Sequence, residues 1–250
     1  FTYYTGFKVN SGEYKVMGLA PYGKPKYKDL IIKELMDLKE DGSFKLNMKY
    51  FNYATGLTMT NKEFSNLFGQ PVRDSKKDLL TDFHMDIASS IQAVTEEVVL
   101  RLTKDIAQEY KIKNLCLAGG VALNCVANGK ILRKNHFENI WIQPAAGDAG
   151  GSLGAALAYW YRELDKPREN LNDKMKGAYL GPRHEASSIE KNLKSLKAVY
   201  KEKTSSEISL SIAKELANSK TVGWFQGRME FGPRALGARS ILADPRSEKM

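Results

Sequence analysis

Cysteine and histidine are scarce in this sequence, and their scarcity excludes several classes of metal site. The 250 residues contain two cysteines and three histidines. Cys116 and Cys125 are not at a zinc-ligand spacing and lie in apolar stretches, so we expect them to be buried free thiols. His84, His136 and His184 are dispersed, without the H-x-x-x-H pair of a metal-binding helix. We expect core or surface roles for all three histidines.

Long hydrophobic runs and blocks of like charge are also missing. No apolar run reaches the ~20 residues of a membrane-spanning helix, and no signal peptide is evident. The formal net charge is +9, but acidic residues are interleaved with the basic ones, so there is no basic arm for nucleic acid. We therefore expect a cytoplasmic protein that binds neither nucleic acid nor membrane. Its solvated lysine-rich surface is compatible with anionic small molecules.

The apolar pattern that is present predicts an α/β fold. Phe83, Ile87, Val94 and Val98 belong to a repeat every three or four residues, which indicates a long helix over 78–110. Upstream, the pattern predicts a helix at 27–39 and short strands and loops at 40–75. Downstream, it predicts strands at 114–118 and 139–143 and helices at 122–134 and 151–162. Alternating helices and strands favour a parallel sheet with crossovers.

A polar segment at 163–178 is the best candidate for a linker. Beyond it the sequence predicts helices at 186–195 and 205–218, a strand at 222–226 and an arginine-rich loop at 227–246. We therefore expect two domains, at 1–170 and 178–250, the second of them truncated. Because the chain opens on Phe1 and shows little of a second domain, we expect a fragment of a longer protein that does not complete an active site by itself.

The first glycine-rich segment, residues 18–24, has the Gly and Lys spacing of a P-loop. The next residue is Pro25, where a P-loop needs Ser or Thr for Mg²⁺. Proline also removes a backbone N–H from the phosphate cradle. The sequence thus argues against a P-loop and leaves open a turn closed by Gly and Pro or a different functional loop.

Two further glycine-rich loops each follow a predicted strand. Gly119 and Gly120 allow close approach of a ligand to the backbone, and Asn124 offers a donor and an acceptor to a ribose or base edge. Gly-Gly is also common in plain turns between a strand and a helix. One strand later, Asp148 precedes Gly150 and Gly151 at a helix start. This aspartate either caps the helix or ligates a metal ion that bridges phosphates.

These two loops follow neighbouring predicted strands. Ligands of open α/β sheets bind outside the carboxyl ends of the strands, so we expect both loops to face the same site. The pair is a more specific signal of nucleotide binding than either loop alone.

Residues 227–246 form the most distinctive segment. Its four arginines are Arg228, Arg234, Arg239 and Arg246. Guanidinium groups bind phosphate and carboxylate through two parallel hydrogen bonds. The two acids of the segment, Glu230 and Asp244, leave a surplus of positive charge for an anionic ligand. A structural network of ion pairs among the same residues is the alternative.

Together these segments resemble the O-carbamoyltransferase family of nodulation and antibiotic-biosynthesis enzymes. The residues that carry the resemblance are 15–23, 118–124, 147–156 and 227–246, in family order. The resemblance implies the second half of an actin/hexokinase-type (ASKHA) domain, which transfers a carbamoyl group from carbamoyl-adenylate to a hydroxyl. It also implies the start of a second α/β domain. That domain is similar to the acyl-adenylate synthases of tRNA threonylcarbamoylation and makes the adenylate from ATP and carbamoyl phosphate.

The resemblance also implies site residues and ligands. Gly119, Gly120, Val121 and Asn124 would line the adenosine pocket, Gly150 and Gly151 would border the phosphate, Asp148 would bind metal, and Arg234 and Arg239 would bind anions as catalytic residues. The expected cofactors are ATP and a divalent metal, Fe or Mg, and the partners are carbamoyl phosphate and a hydroxyl-bearing small molecule or saccharide. The sequence does not determine the oligomeric state, and a homodimer is one assembly compatible with it. The resemblance also implies paired metal-binding histidines in an N-terminal half, which we expect to lie outside this sequence.

Two other functions stay open at this point. A small-molecule kinase of the actin/hexokinase superfamily would share the glycine loops but needs no arginine-rich segment past residue 227. A catalytically inactive nucleotide-binding module would retain nucleotide and metal without turnover.

Overall fold

The computed structural model describes residues 1–168 and 173–247 and has a mixed α/β architecture with small sheets. The chain divides into two compact units. Unit 1 comprises Phe1–Leu117 and Asn124–Trp141, and unit 2 comprises Ala118–Leu123 and Ile142–Met250. The predicted linker at 163–178 falls partly outside the described residues, and the domain boundaries at 170 and 178 stay predictions.

The described residues contain α-helices α1 (Glu13–Leu19), α2 (Lys28–Leu30), α3 (Lys62–Phe68), α4 (Asp82–Tyr110), α5 (Cys125–Lys134), α6 (Asp148–Ala158), α7 (Ala186–Ser195) and α8 (Ser205–Ala217). The strands are β1 (Met36–Leu38), β2 (Phe44–Leu46), β3 (Asn114–Leu117), β4 (Asn139–Ile142), β5 (Val222–Phe225) and β6 (Arg239–Leu242). Each sheet has two strands, β1 with β2, β3 with β4, and β5 with β6. Among the described residues, no helix is both long and apolar enough to span a membrane.

Helix α4 is the central element of unit 1 and confirms the predicted long helix. Thr81 begins it with a capping box, in which the Thr81 backbone N–H donates to His84 Nδ1 at 3.1 Å. The predicted apolar positions Ile87, Val94 and Val98 are buried. Polar residues on other faces of α4 are buried as well, which shows that the helix is covered on more than one side.

An aromatic cluster forms the largest core of unit 1. Tyr4 and Phe64 are fully buried, and their ring centroids lie 4.9 Å apart in an edge-on arrangement. Phe68 stacks at a tilt 5.0 Å from Phe64, and Phe1 meets Phe64 edge-on at 5.3 Å. Edge-on and tilted pairs of this kind are favourable because the positive ring edge meets the negative face.

The predicted helix at 27–39 is wrong in its last part. The α2 helix continues as a wider π-helical turn over Ile31–Leu35, and then Met36–Leu38 forms β1. This segment leaves the helix because it pairs antiparallel with β2, in the register Met36 to Leu46 and Leu38 to Phe44. Tertiary pairing overrides local helix propensity here.

The strands β3 and β4 begin side by side. The Lys113 carbonyl accepts hydrogen bonds from the backbone of Glu138 and of Asn139, and the Asn139 side chain donates to Asn114 at 2.8 Å. Strands whose starts adjoin run in the same direction, so this pair confirms the predicted parallel arrangement, although the sheet is small.

The expected burial of the cysteines is wrong, since both thiols are exposed. Leu115 is buried while the next residue of β3, Cys116, is exposed. Successive side chains of a strand point to opposite faces. Only the Leu115 face of β3 is covered by the described residues.

In unit 2 the helices agree closely with prediction, but one strand was missed. Helix α6 begins at Asp148 rather than 151 and continues as a π-helical turn over Tyr159–Glu163. Residues Arg239–Leu242, predicted as loop, form β6 and pair antiparallel with β5, with Phe225 opposite Arg239. A strand of four residues inside an arginine-rich segment carries too little periodic pattern to be predicted.

Candidate functional site

The loop after β3 exposes its backbone to solvent. Gly119 has a φ of +95°, a conformation that glycine adopts without strain, and Gly120 begins a 3₁₀ turn. A Cβ atom added at either position would meet nothing within 4 Å. The Val121 side chain is 60% exposed. The backbone at both glycines is therefore open on the side where a Cβ would lie, and the predicted approach of a ligand to it stays a prediction.

The loop after β4 is tighter. A side chain at Gly150 would overlap the Ala145 carbonyl, so glycine is required there for packing within the turn. Gly151, in contrast, has open space around it. Of the two glycines predicted to border phosphate, the surroundings of Gly151 leave room for a ligand, whereas those of Gly150 explain the glycine without one.

The two glycine loops lie side by side in unit 2, as predicted. The Gly119 N–H donates to the Ala146 carbonyl at 2.8 Å. A Cβ at Gly147 would lie 3.8 Å from the Gly120 Cα. This hydrogen bond joins the loop after β3 to the loop after β4 and fixes the spacing of the two loops.

The arginine-rich segment contacts the loop after β4. Gly232 lies against Ala145, such that an added Cβ would come within 2.7 Å of the Ala145 Cβ. We call the meeting point of Gly119–Gly120, Ala145–Gly147 and Gly232 the three-loop junction. It places the arginine-rich segment beside both glycine loops of unit 2.

Glu230 organises the arginine-rich segment from inside. Its side chain is fully buried, and Oε1 accepts hydrogen bonds from the backbone of Leu236 at 2.6 Å and of Ala238 at 2.8 Å. Burial acts to raise the pKa of this carboxyl, but the backbone amides of Ala238 and Leu236 outweigh it and hold the pKa below its ordinary value. The buried group is therefore a carboxylate at neutral pH.

The arginines have different surroundings. Arg239 Nε lies 3.6 Å from Glu230 Oε2, and its Nη2 donates to the Gly232 carbonyl. Arg246 forms a two-point ion pair with Asp244, which lowers the Asp244 pKa to about 2. The alternative of structural ion pairs is thus realised for these two arginines. Arg234 is half-buried.

The remaining arginine of the segment, Arg228, is exposed, and its Nη1 donates to the Gly181 carbonyl at 2.8 Å. It therefore ties the segment to an earlier part of unit 2.

Asp148 is the first residue of α6 and does not cap it. Its carboxylate is exposed and has no hydrogen-bond or ion-pair partner among the described residues. A carboxylate at a helix start is favoured by the helix dipole. Residues 1–168 and 173–247 contain no group of three His, Cys, Asp or Glu side chains that could hold a metal ion. Asp148 alone therefore does not make a metal site, and its metal role stays a prediction.

Asn124, in unit 1, caps helix α5. Its Oδ1 accepts from the Ala127 N–H at 3.1 Å, and its side-chain amide is paired with that of Gln92 on α4. Gln92 and its partner Glu96 were missed from the sequence. The available signal was the presence of polar residues on a helix whose length and apolar pattern already indicated burial.

The segment at 18–24 packs against α4. A side chain at Gly23 would overlap the backbone of Met85, and the Lys24 N–H donates to Asp86 Oδ1 at 2.7 Å. Lys26 forms an ion pair with the other oxygen of the same carboxylate. These contacts account for the glycine and for the Lys24 amide as parts of a packed turn.

Comparison with known proteins identifies the family. The family model described as carbamoyltransferase N-terminus matches residues 1–157, and the one described as carbamoyltransferase C-terminus matches residues 213–250. An uncharacterized protein of Synechocystis sp. is 62% identical over 100% of the chain and 41% of its own length. Nodulation protein NolO of Bradyrhizobium diazoefficiens is 40% identical over 94% of the chain and 40% of its own length.

Nodulation protein NolNO of Sinorhizobium fredii is 38% identical over 94% of the chain, a match that spans 32% of the relative. The chain thus spans well under half the length of these relatives. The N-terminal family model alone covers more than half of the chain. The protein belongs to the carbamoyltransferase family.

Proposed function

We propose that the protein takes part in ATP-dependent transfer of a carbamoyl group from carbamoyl phosphate, through carbamoyl-adenylate, to a hydroxyl of a small-molecule or saccharide acceptor. Family membership supports carbamoyl transfer in general. The use of ATP, the adenylate intermediate and the acceptor class belong to the proposal.

The observation that carries the proposal is the three-loop junction. The hydrogen bond from Gly119 to Ala146 holds the two glycine loops side by side, and Gly232 brings the arginine-rich segment against Ala145. Exposed backbone N–H groups at the start of a helix or 3₁₀ turn favour phosphate oxygens, and guanidinium groups favour planar pairs of oxygens. A nucleotide and an acyl phosphate together carry both kinds of group.

The proposed reaction has two steps, formation of the adenylate and transfer of the carbamoyl group. In the first step, carbamoyl phosphate is hydrolysed to carbamate and phosphate, and a carbamate oxygen then attacks the α-phosphorus of ATP with loss of pyrophosphate. The acceptor hydroxyl then attacks the carbamoyl carbon, its proton leaves to a base or water, and AMP departs. In this scheme Arg234 and Arg239 hold anionic oxygens in the first step. In unit 2, Gly119, Gly120 and Val121 contact the adenosine, and Gly151 lies beside phosphate. Asn124, in unit 1, is assigned separately to nucleotide binding.

The described residues do not form a complete metal site. A divalent ion, when bound, would neutralise phosphate charge, and Asp148 would supply one of its ligands. A kinase of the actin/hexokinase superfamily would not need the arginine-rich segment. Residues 213–250, which include that segment, match the carbamoyltransferase C-terminus, and this favours carbamoyl transfer.

The test separates the two steps in the protein encoded by the complete open reading frame. Arg234→Ala should stop formation of the adenylate, measured as pyrophosphate release with ATP and carbamoyl phosphate. Loss of a charge-assisted hydrogen bond weakens binding by ~1.5–3 kcal/mol, which is more than tenfold. The same variant should still carbamoylate the acceptor when carbamoyl-adenylate is added directly.

Arg246→Ala is the matched control, since it removes an arginine of the same segment that pairs with Asp244 and that the scheme assigns to neither step. It should retain both steps. If Arg234→Ala fails equally with added carbamoyl-adenylate, then the arginine acts in transfer or in folding and the division of steps is wrong. If nucleotide and metal are retained by the wild type without any turnover, the inactive-module alternative holds.

A further inference from the structure

A chain of four polar side chains connects α4 with α5 inside unit 1. Lys130 pairs with Glu96 Oε2, and Glu96 Oε1 accepts from Gln92 Nε2 at 3.0 Å. Gln92 in turn makes two hydrogen bonds with Asn124, one in each direction. Gln92 and Glu96 are 9% and 7% exposed, so water competes little for these bonds.

The charge at one end of this chain fixes the orientation of every amide in it. The Glu96 carboxylate, paired with Lys130, is an acceptor only, so Gln92 must direct its NH₂ group toward it. The second proton of that NH₂ is donated to Asn124 Oδ1 at 3.2 Å, and Gln92 Oε1 accepts from Asn124 Nδ2 at 3.0 Å. The opposite orientation of Gln92 would set its oxygen against two other oxygens.

As a consequence, most hydrogen-bonding groups of the Asn124 side chain are already paired. Its Oδ1 accepts two hydrogen bonds, from Gln92 and from the Ala127 N–H. Its Nδ2 donates one of its two N–H groups to Gln92 Oε1. The second N–H has no partner among the described residues, and the side chain is half-buried rather than enclosed.

We infer that Gln92 is a positioning residue that makes Asn124 a donor-only recognition point, so that the ligand atom it meets is a hydrogen-bond acceptor. Ribose oxygens and unprotonated ring nitrogens of a base are acceptors of this kind, whereas an exocyclic amine is not. The inference rests on the proposed function in taking the ligand to be a nucleotide. It replaces the sequence-based expectation that Asn124 offers both a donor and an acceptor.

The binding test uses ATP as the probe and isothermal titration calorimetry on the 250-residue chain. Asn124→Asp keeps an oxygen to cap α5 but removes the donor, and we expect ATP affinity to fall about tenfold. Gln92→Met removes the constraint on the amide while keeping similar volume, and we expect a smaller loss, about threefold. Wild-type affinity in Asn124→Asp would overturn the inference.

Asn61→Asp is the matched control. Asn61 caps α3 through Oδ1, and its Nδ2 donates to the Lys49 carbonyl at 2.7 Å, so the change removes the same kind of donor from the same kind of cap. It should lower stability in a similar way and leave ATP affinity unchanged. An equal loss of affinity in Asn61→Asp would show that the effect is general destabilisation.

A second readout is independent of the proposed function. In nuclear magnetic resonance of the side-chain amides, both Gln92 protons and one Asn124 proton should exchange slowly with solvent, and the other Asn124 proton should exchange fast. Gln92→Met should make the two Asn124 protons alike. If the wild type already shows two equivalent Asn124 protons, the inference fails. If this pattern is found but ATP does not bind, the nucleotide proposal fails instead.

Discussion

The interior of unit 1 and the interior of unit 2 contain different kinds of side chain. Unit 1 buries large apolar side chains, with Tyr4, Phe64 and Ile87 fully enclosed. In the described residues of unit 2, the buried apolar side chains are all alanines, namely Ala122, Ala145, Ala146, Ala178 and Ala238. The largest fully buried side chain there is that of Glu230, a carboxylate. Apolar packing therefore dominates the core of unit 1, whereas the described residues of unit 2 bury little apolar side-chain surface.

The small residues of unit 2 explain the geometry of the candidate site. The loops of the three-loop junction contain small residues because backbone meets backbone there, as in the bond from Gly119 to Ala146. Small residues leave room for a ligand but bury little apolar surface, and burial contributes only ~25 cal/mol per Å². The same composition that opens the site leaves it with little core of its own.

The largest effect is expected from a core aromatic. Phe64→Ala should lower the free energy of unfolding by ~3–5 kcal/mol, because it removes a fully buried ring from the aromatic cluster. Phe225→Ala is the counterpart in unit 2, where the ring is 59% exposed. It should change stability by less than ~0.5 kcal/mol. Urea unfolding of both variants gives the comparison, and similar losses would contradict the contrast between the units.

The next effect concerns the buried carboxylate of unit 2. Glu230→Ala leaves the N–H groups of Leu236 and Ala238 without their acceptor, at ~1–3 kcal/mol for each group that water cannot reach. Hydrogen–deuterium exchange should show that both amides lose protection while the core of unit 1 stays protected. Asp244→Ala, which removes an acid paired with an exposed arginine, should have a smaller effect. Unchanged protection in Glu230→Ala would mean that other contacts shape the segment.

A third prediction tests whether the open space at Gly120 serves ligand binding without contributing to stability. Gly120→Val should weaken ATP binding more than tenfold through a clash with the ligand. It should change stability by less than ~1 kcal/mol, because a Cβ at this position meets no protein atom within 4 Å. Gly223→Val in β5 is the control, since that glycine is also open. It should leave ATP binding intact. Equal ATP affinity in the wild type and Gly120→Val would show that this loop is only a turn.

The smallest expected effect is the pH dependence of unit 1. Burial, together with the charge of Arg73, lowers the pKa of His84 below its ordinary value of 6.5. The unfolded chain therefore binds a proton more readily, and the free energy of unfolding should decrease as the pH falls below about 6.5. The decrease should end once the pH lies below the folded-state pKa. Above pH 6.5 the residue is neutral in both states and contributes no pH dependence.

His84→Gln should remove this component, because glutamine at the same position can complete the capping box without titrating. Thermal unfolding at several pH values measures it, and the cap itself contributes ~1 kcal/mol. If the pH profile of His84→Gln matches that of the wild type, another group is responsible.

Long periodic elements were predictable from the sequence, and short paired ones were not. Helices α4 and α7 agree with prediction because amphipathic periodicity is a local property of many residues. The turn from α2 into β1 and the strand β6 were missed because each depends on a partner strand elsewhere in the chain. The exposure of Cys116 was missed for a related reason, since composition does not show which face of a strand is covered.

The candidate site divides in the same way. That the two glycine loops adjoin followed from their places after neighbouring strands, and the Gly119–Ala146 hydrogen bond confirms it. The contact of Gly232 with Ala145 joins residues far apart in the sequence that have no common pattern. The roles assigned to Asp148 and Arg234 stay predictions.

The sequence by itself determined the family, the long helices and the identity of the glycine and arginine loops, because each is encoded by neighbouring residues. Only the tertiary structure decided what those residues can offer a ligand. It tied Arg239 to Glu230, left the Asp148 carboxylate exposed, and used α4 to orient the amide of Asn124. A side chain's remaining hydrogen-bonding capacity depends on which distant groups have already claimed its donors and acceptors, and that is settled only when the chain is folded.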